Sequence, residues 1–249
     1  DIWIGTFNGL NKYNPNKEKI TIYTQGTLSQ NISHASVFPV YKDWQGNIWL
    51  GTYYGGVNYF NPEMDIFSVY TARENKGNGL SYPFVGNMVE DKHGNIWICT
   101  EGGGLNLFDR KNKKFSSFQA DGKTGSIAHN NLKAIDYCPQ REKLYIGTHT
   151  GGLSIFDIRK QVFKNLFFTN PAYSILAGDR VNAVKVHEDF LVFTSPKGIF
   201  KMNLDTETVM PFLTIDTFLG NGNFLIDSKQ RLWLANNNRI ILLNLNDHT

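Results

Sequence analysis

Seven ionisable side chains in candidate strands, Asp43, Glu90, Asp91, Asp136, Lys185, His187 and Asp227, are the ones placed to do acid–base chemistry. A glycosidase or lyase needs paired carboxylates, or a base and a nucleophile, converging on one point. Asp43, Glu90, Asp91 and Asp227 lie at or beside turns, which points to a structural role, and Asp136 and His187 form no evident pair. Catalysis is therefore not expected of this stretch, and a lyase or glycosidase stands as the alternative. A second set suits binding: Tyr53, Tyr54, Glu101 and His149 follow strand-like segments, while Tyr82 and His129 precede them. Aromatic faces stack on the apolar faces of sugar rings, and carboxylate, imidazole and amide groups hydrogen-bond hydroxyls. Phe7, Asn8, Thr150, Ser195, His34, Asn130, Asn131 and Tyr173 occupy comparable places. The plainer account is that the tyrosines cover the top of a core and His149 is a solvated turn residue.

Other chemistries find less support. The glycines at 55, 56, 102–104, 151 and 152 might suggest a phosphate cradle, but no helix pattern follows for an anion to cap, and tight turns explain them. Cys99 and Cys138 lack partners at zinc-like spacing and sit in apolar runs, so buried thiols are expected, with a single disulfide left open. No cofactor and no metal is expected. The 25 basic and 22 acidic residues are scattered, and the densest cationic run, Arg110, Lys111, Lys113 and Lys114, falls on a turn and reads as solvated; nucleic acid is not an expected partner. No apolar stretch reaches the roughly 20 residues of a membrane helix, and no signal peptide opens the chain. The start at Asp1-Ile2-Trp3 falls inside a strand pattern, as in a piece of a longer protein.

The elements that position these residues come from a repeat. Ile48-Trp49-Leu50-Gly51-Thr52 returns as Ile96-Trp97-Ile98-Cys99-Thr100 and as Leu144-Tyr145-Ile146-Gly147-Thr148, and Ile2 to Thr6 is an earlier copy. Leu191 to Thr194 and Leu232 to Asn236 are degenerate ones. The anchors Trp3, Trp49, Trp97, Tyr145, Leu191 and Trp233 are 46, 48, 48, 46 and 42 residues apart, the period of a propeller blade. Within a unit the spacing predicts four strands, over 84–91, 96–100, 105–109 and 114–118, and over 37–43, 48–52, 57–61 and 66–70 in the unit before it. Anchor strands are apolar without alternation, as strands covered on both faces must be, whereas Lys114 to Phe118 is as polar as an exposed edge.

The turns Asp43 to Asn47 and Asp91 to Asn95 place glycine where φ > 0 is needed. Gln140 to Lys143 and Ser228 to Arg231 lack it, which predicts altered turn types there. The fold class is thus all-β: a β-propeller of four-stranded antiparallel blades, five to six in number, cut from a larger seven-bladed or tandem array. The blades are expected near 1–24, 35–70, 84–118, 132–168, 180–213 and 220–249, within a single domain, with the first unit starting at its second strand and the last stopping after its third.

The string from Glu90 to Asn106, with Asp91, Gly94, Asn95, Trp97, Thr100 and the glycines 102–104, resembles the two-component regulator propeller repeat, with Cys99 in place of the usual glycine. Asp43 to Asn58 resembles it too, and so does a Leu-Ser-x-Asn connector, intact at Leu28 to Asn31 and partial at Leu80-Ser81. The likeness is strong to about residue 165 and weak beyond. It implies the extracytoplasmic, periplasmic sensor domain of a hybrid two-component histidine kinase, detecting oligosaccharides from polysaccharide breakdown. It also implies a second propeller or further sensor domains in the same protein, and signalling as a homodimer. A protein-docking scaffold is a rival reading, weakened by the missing WD-repeat signature. Nothing in the chain resembles the kinase's phosphoacceptor helix, ATP-binding domain or receiver domain. The six candidate ligand residues remain Tyr53, Tyr54, Glu101, His149, Tyr82 and His129.

Overall fold

The computed structural model describes residues 1–72, 78–166, 180–214, 223–236 and 239–245. Among them six antiparallel sheets follow one another, each a meander in chain order. The first holds β1 (Ile2–Thr6), β2 (Gly9–Asn14) and β3 (Lys19–Tyr23). The second holds β4 (Val37–Lys42), β5 (Ile48–Thr52), β6 (Val57–Asn61) and β7 (Ile66–Tyr70), and the third β8 (Val85–Glu90), β9 (Ile96–Thr100), β10 (Leu105–Asp109) and β11 (Lys114–Phe118). The fourth holds β12 (Leu132–Cys138), β13 (Lys143–Thr148), β14 (Leu153–Asp157) and β15 (Val162–Asn165). The fifth holds β16 (Ala183–His187), β17 (Phe190–Ser195), β18 (Gly198–Asn203) and β19 (Val209–Thr214). The sixth is β20 (Phe224–Ile226), β21 (Arg231–Asn236) and β22 (Arg239–Asn244). The fold is a β-propeller, and these sheets are its blades. Four blades are four-stranded and the first and last three-stranded, as the repeat count predicts. The chain divides into two compact units, residues 1–119 with 130–132, and residues 120–129 with 133–249.

Within the first unit, successive residues of one anchor strand serve different neighbours. Ile48 and Leu50 of β5 pack with Leu10 of the first blade, whereas Trp49 between them packs with Met88, Ile96 and Phe108 of the third. This is why the strand is apolar without alternation: a period of two places consecutive side chains on opposite faces, and both faces are covered. Trp49 lies 4.8 Å from Tyr59 and 5.5 Å from Phe108, ring to ring. The second unit is built alike, with Tyr145, Ile155, Phe193 and Phe200 in one core and Val192, Ile199, Leu232 and Leu234 in another.

A buried tryptophan brings an indole N–H that needs an acceptor. Trp49 Nε1 donates to Asp43 Oδ2 at 2.9 Å, Trp97 to Asp91 Oδ2 at 2.9 Å, and Trp233 to Asp227 Oδ2 at 2.9 Å. In the second and third blades the other carboxylate oxygen accepts the backbone N–H of Asn47 (2.8 Å) or Asn95 (3.1 Å), closing the turn that leads into the anchor strand. One aspartate therefore fixes both the hairpin and the rotamer of the core aromatic. In the fourth blade the aspartate position is Pro139, and the anchor there is Tyr145, which has no indole to satisfy.

Three expectations from the sequence need correction. The turns without glycine are not of a different type: Glu142 (φ 49°) and Gln230 (φ 61°) occupy the left-handed region as Gly46 (φ 89°) and Gly94 (φ 82°) do. Gln230 N donates to Asp227 O at 3.1 Å just as Gly94 N does to Asp91 O at 3.0 Å. Second, Leu28 is not the connector's repeat position, being 70% exposed, whereas Ile32 and Leu80 are buried. Ser33 and Ser81 stand in the same relation, 25 residues apart, to Asn58 and Asn106, so Ile32-Ser33 is the counterpart of Leu80-Ser81.

Third, Arg110 is not a solvated turn residue like Lys111 and Lys113. Its guanidinium bonds Asp43 Oδ2 at 2.9 Å, Glu90 Oε1 at 3.1 Å and the Gln45 amide oxygen, and lies 5.9 Å from the Trp49 ring centre. It thus ties the third blade to the turn of the second. Burial pushes the Asp43 carboxyl up, but hydrogen bonds from Trp49 and Asn47 together with the Arg110 charge outweigh it and hold the group below its ordinary value. For Glu90 burial prevails over the Trp44 N–H and Arg110, and its carboxyl is raised.

A depressed carboxylate contributes stability that is full above the unfolded pKa, about 4, and is lost as pH falls through the lower folded value. Asp43→Asn should remove that acid-side loss, seen as a flatter dependence of urea midpoint on pH below about 4. Asp91→Ala should cost about 2–4 kcal/mol, because a charge-assisted bond is lost and a buried indole N–H is orphaned. A denaturation cycle with Trp97→Phe should show the two changes to be less than additive, by about 1–2 kcal/mol.

Candidate functional site

A meander blade puts its first-to-second and third-to-fourth turns at one end, and its second-to-third turn with the interblade connector at the other. At this second end a threonine closes the turn in the second, third and fourth blades. Thr52 Oγ1 donates to Gly56 O at 2.8 Å and accepts from Gly55 N at 3.0 Å. Thr100 with Gly104 and Gly103, and Thr148 with Gly152 and Gly151, repeat the arrangement. The residue after each threonine is Tyr53, Glu101 or His149, so three of the candidate residues are one structural position seen in three blades.

The connector docks against the same turn. Ser33 N donates to Asn58 Oδ1 at 2.8 Å and Asn58 Nδ2 to Ser33 Oγ at 2.7 Å; Ser81 and Asn106 do likewise at 2.8 and 2.8 Å. The approach is so close that a Cβ on Gly55 would lie 2.4 Å from Ser33 Oγ, one on Gly103 2.4 Å from Ser81 Oγ, and one on Gly151 2.7 Å from Ala128 Cβ. The next residues along the connectors are His34, Tyr82 and His129, again one position in three blades. His34 lies 6.2 Å from Tyr53, ring to ring, and His129 6.3 Å from His149. Tyr82 lies flat on Gly102, where a Cβ would meet its ring carbons at 3.0–3.2 Å.

Each candidate residue thus has a neighbour from its own blade's turn or connector. Tyr53, Tyr54, Glu101 and Tyr82 belong to the first unit, and His129 and His149 to the second. In the first unit the structure adds two residues that the sequence reading did not single out, Phe38 and Phe84. Tyr53 stands 4.8 Å from Tyr54 and 4.6 Å from Phe84; Tyr54 is stacked with Phe84 at 6.4 Å. Phe38 is 6.2 Å from Phe84 and 5.3 Å from Phe7. The result is a chain of five aromatic rings from three blades, with Phe7 73%, Tyr54 54%, Phe38 48% and Tyr53 42% exposed. Glu101 adjoins it, its N–H donating to Phe84 O at 3.1 Å.

Phe38 escaped notice because it lies in an inner strand, where an apolar residue reads as core. A β-bulge explains its exposure: Val37 pairs with Thr52 and Val40 with Leu50, leaving Phe38 and Pro39 opposite Gly51 alone. Bulges re-aim side chains, often beside sites. The signal was present, since proline inside a strand marks a bulge or an edge. A Cβ on Gly51 would lie 2.4 Å from the Pro39 ring.

The remaining candidates have other roles. Asn130 offers its backbone O to Gly102 N and Gly104 N, at 3.1 and 2.9 Å, and Asn131 bridges to Glu101. Tyr173 lies outside the described residues. Asp136 pairs with Lys185 at 3.1 Å and accepts Val186 N at 2.7 Å, while His187 meets the Gln230 amide. Asp43, Asp91 and Asp227 are engaged in the turns. Cys99 and Cys138 are buried free thiols, and burial pushes the Cys99 thiol up. Among the described residues no cluster of three or more His, Cys, Asp or Glu is arranged to hold a metal ion, and no helix is long and apolar enough to cross a membrane.

Residues 79–102, which include Ser81, Tyr82, Glu101 and Gly102, match the family model described as two component regulator propeller. That stretch is a two component regulator propeller repeat. Among solved structures, the extracellular domain of a hybrid two component system from B. thetaiotaomicron superposes with a TM-score of 0.79 at 24% identity, over 98% of this chain and 32% of that one. The extracellular domain of a one component system from the same organism gives 0.80 at 18% identity, over 99% and 33%. Virginiamycin B lyase from Staphylococcus aureus gives 0.68 at 15%, over 98% and 80%. At these identities the likeness is one of fold. The chain spans about a third of the length of the two extracellular domains. A comparison with curated protein sequences found no significant match.

Since the tyrosines are exposed, Tyr53→Ala and Tyr54→Ala should each change stability by less than about 1 kcal/mol. Gly55→Ala, which drives a methyl into Ser33, should cost about 1–3 kcal/mol in the same denaturation assay.

Proposed function

We propose that this chain is a ligand-sensing part of an extracytoplasmic, periplasmic sensor of a two-component signalling protein, that its ligand is an oligosaccharide, and that it does no chemistry itself. The observation that carries this reading is the five-ring aromatic chain on the connector end of the first unit, flanked by Glu101, His34 and Tyr82. Contiguous exposed aromatic surface is unusual on a soluble domain and marks a binding site. Rings for stacking beside hydrogen-bonding groups suit sugars. The repeat at residues 79–102 and the fold shared with extracellular sensor domains supply the signalling context. The residues with acid–base capacity are engaged in turns and ion pairs, which favours sensing over a lyase role despite the fold shared with virginiamycin B lyase. The His129–His149 pair of the second unit is the equivalent position there.

Ligand at about 100 times its Kd stabilises a protein by roughly 2.7 kcal/mol, a rise in Tm of about 5–10 °C for a chain of this size. An oligosaccharide panel screened by thermal shift should yield such a rise, and Tyr53→Ala combined with Tyr54→Ala and Glu101→Ala should abolish it. Incubation with the parent polysaccharide should release no products; product release would establish the lyase or glycosidase reading instead.

A further inference from the structure

The bulge that exposes Phe38 recurs in the third blade with a different filling. Val85 pairs with Thr100 and Met88 with Ile98, so Gly86 and Asn87 stand opposite Cys99 alone, as Phe38 and Pro39 stand opposite Gly51. Gly86 is therefore the counterpart of Phe38. The backbone does not demand glycine there: its φ lies outside the left-handed region, and a Cβ would sit at ordinary contact distance, 3.5 Å from Leu132 O and 3.6 Å from Cys99 Cβ. The second blade holds a phenyl ring at this position, so the fold leaves its size open.

Phe38 shows what a side chain at that position does. Its ring stands between Phe7, 5.3 Å away and edge-on at 89°, and Phe84, 6.2 Å away. Phe7 follows the threonine of the first blade's turn, where Thr6 Oγ1 donates to Gly9 O at 2.9 Å, just as Tyr53 follows Thr52. One repeat further on, Phe7 becomes Tyr53, Phe38 becomes Gly86 and Phe84 becomes Leu132. The Cβ direction of Gly86 accordingly points at the Leu132 carbonyl, and Leu132 belongs to the first unit with the others. The fold thus fills the place beside Phe7 with its own phenyl ring, whereas at the corresponding place beside Tyr53 its inner strand supplies no side chain. Tyr53 is 42% exposed, so its ring can be reached from solvent.

A pyranose is a six-membered ring of much the same breadth as a phenyl group, with an apolar face that aromatic side chains receive. Resting on the sensor reading above, we infer that Gly86 is the specificity-determining position of the aromatic face: it reserves beside Tyr53 the place that Phe38 fills beside Phe7, and one sugar ring of the ligand occupies it. Glu101, next to the Thr100 that pairs with Val85, borders the same place. A side chain at residue 86 competes with that sugar ring for space, the more so the larger it is, because an overfilled contact is resolved only by displacing one occupant.

The test is calorimetric titration of length-matched gluco-, xylo-, manno- and galacto-oligosaccharides into the 249-residue protein and into Gly86→Ala, Gly86→Leu and Gly86→Phe, each first checked for folding by thermal denaturation. For a series that binds the parent chain, affinity should fall with side-chain size, by less than about threefold for alanine and by about tenfold or more for leucine and phenylalanine. A second readout needs no sugar: Gly86→Phe should slow the nitration of Tyr53 by tetranitromethane several-fold, followed by peptide mass mapping, because the new ring covers the tyrosine. Where Gly86→Phe does not fold, Gly86→Leu carries both comparisons. An unchanged sugar affinity, or an unchanged rate of Tyr53 nitration, in the folded variant overturns the inference and leaves the sensor reading standing. No binding by any series removes the sensor reading and this inference together.

Discussion

Burial of both faces of the anchor strand is the constraint from which the rest of this structure follows. A strand covered on one side can alternate apolar and polar residues; one covered on two sides cannot, and each of its side chains must find its place in one interface or the other. Ile48 and Leu50 point to one neighbour and Trp49 to the next, so each blade is completed by the blades beside it. A large aromatic fills the forward interface, but tryptophan brings a polar atom into that interface. The aspartate six residues earlier meets the need and, in the second and third blades, closes the preceding hairpin with its other oxygen. Packing, turn geometry and polar satisfaction are thus settled by one pair of residues, which is why they recur together.

The same economy shapes the opposite end of the blade. Threonine closes the second-to-third turn, a serine–asparagine pair clamps the connector onto it, and glycines let the two backbones approach. With that much of the backbone fixed, two positions in each blade are left to vary without penalty to the fold: the residue after the threonine and the residue after the connector serine. They hold Tyr53 and His34, Glu101 and Tyr82, His149 and, after Ala128, His129. Binding groups on such positions are held by rigid neighbours.

Much of this was legible in the repeat. The period, the four strands of each full blade, the aspartate turns and the apolar anchor triplets all follow from local sequence, since strand period and turn chemistry act over a few residues. The strands β5, β6, β7, β9, β10 and β11 coincide with the reading from the repeat, and the candidate positions came from knowing which turns share an end. Where the sequence misled, a neighbour outside the local window decided. Leu28 looked like the connector's apolar residue until Ile32 proved to be the one filling the core. Arg110 looked solvated because its partners, Asp43 and Gln45, are 67 and 65 residues away. Glu142 and Gln230 looked incompatible with a glycine turn, but the flanking strand pairing holds them at positive φ.

What the sequence determined by itself is therefore the blade: its strands, its closing turns and its two-sided burial, all written in patterns of period two and in turns of four or five residues. What only the tertiary structure decided is the surface assembled between blades. Phe7, Phe38, Tyr53, Tyr54 and Phe84 come from three blades, and a bulge brings the second of them out of a strand that otherwise reads as core. Ring-to-ring distances between residues up to 46 positions apart are set by how blades stack, and no pattern within one repeat encodes that.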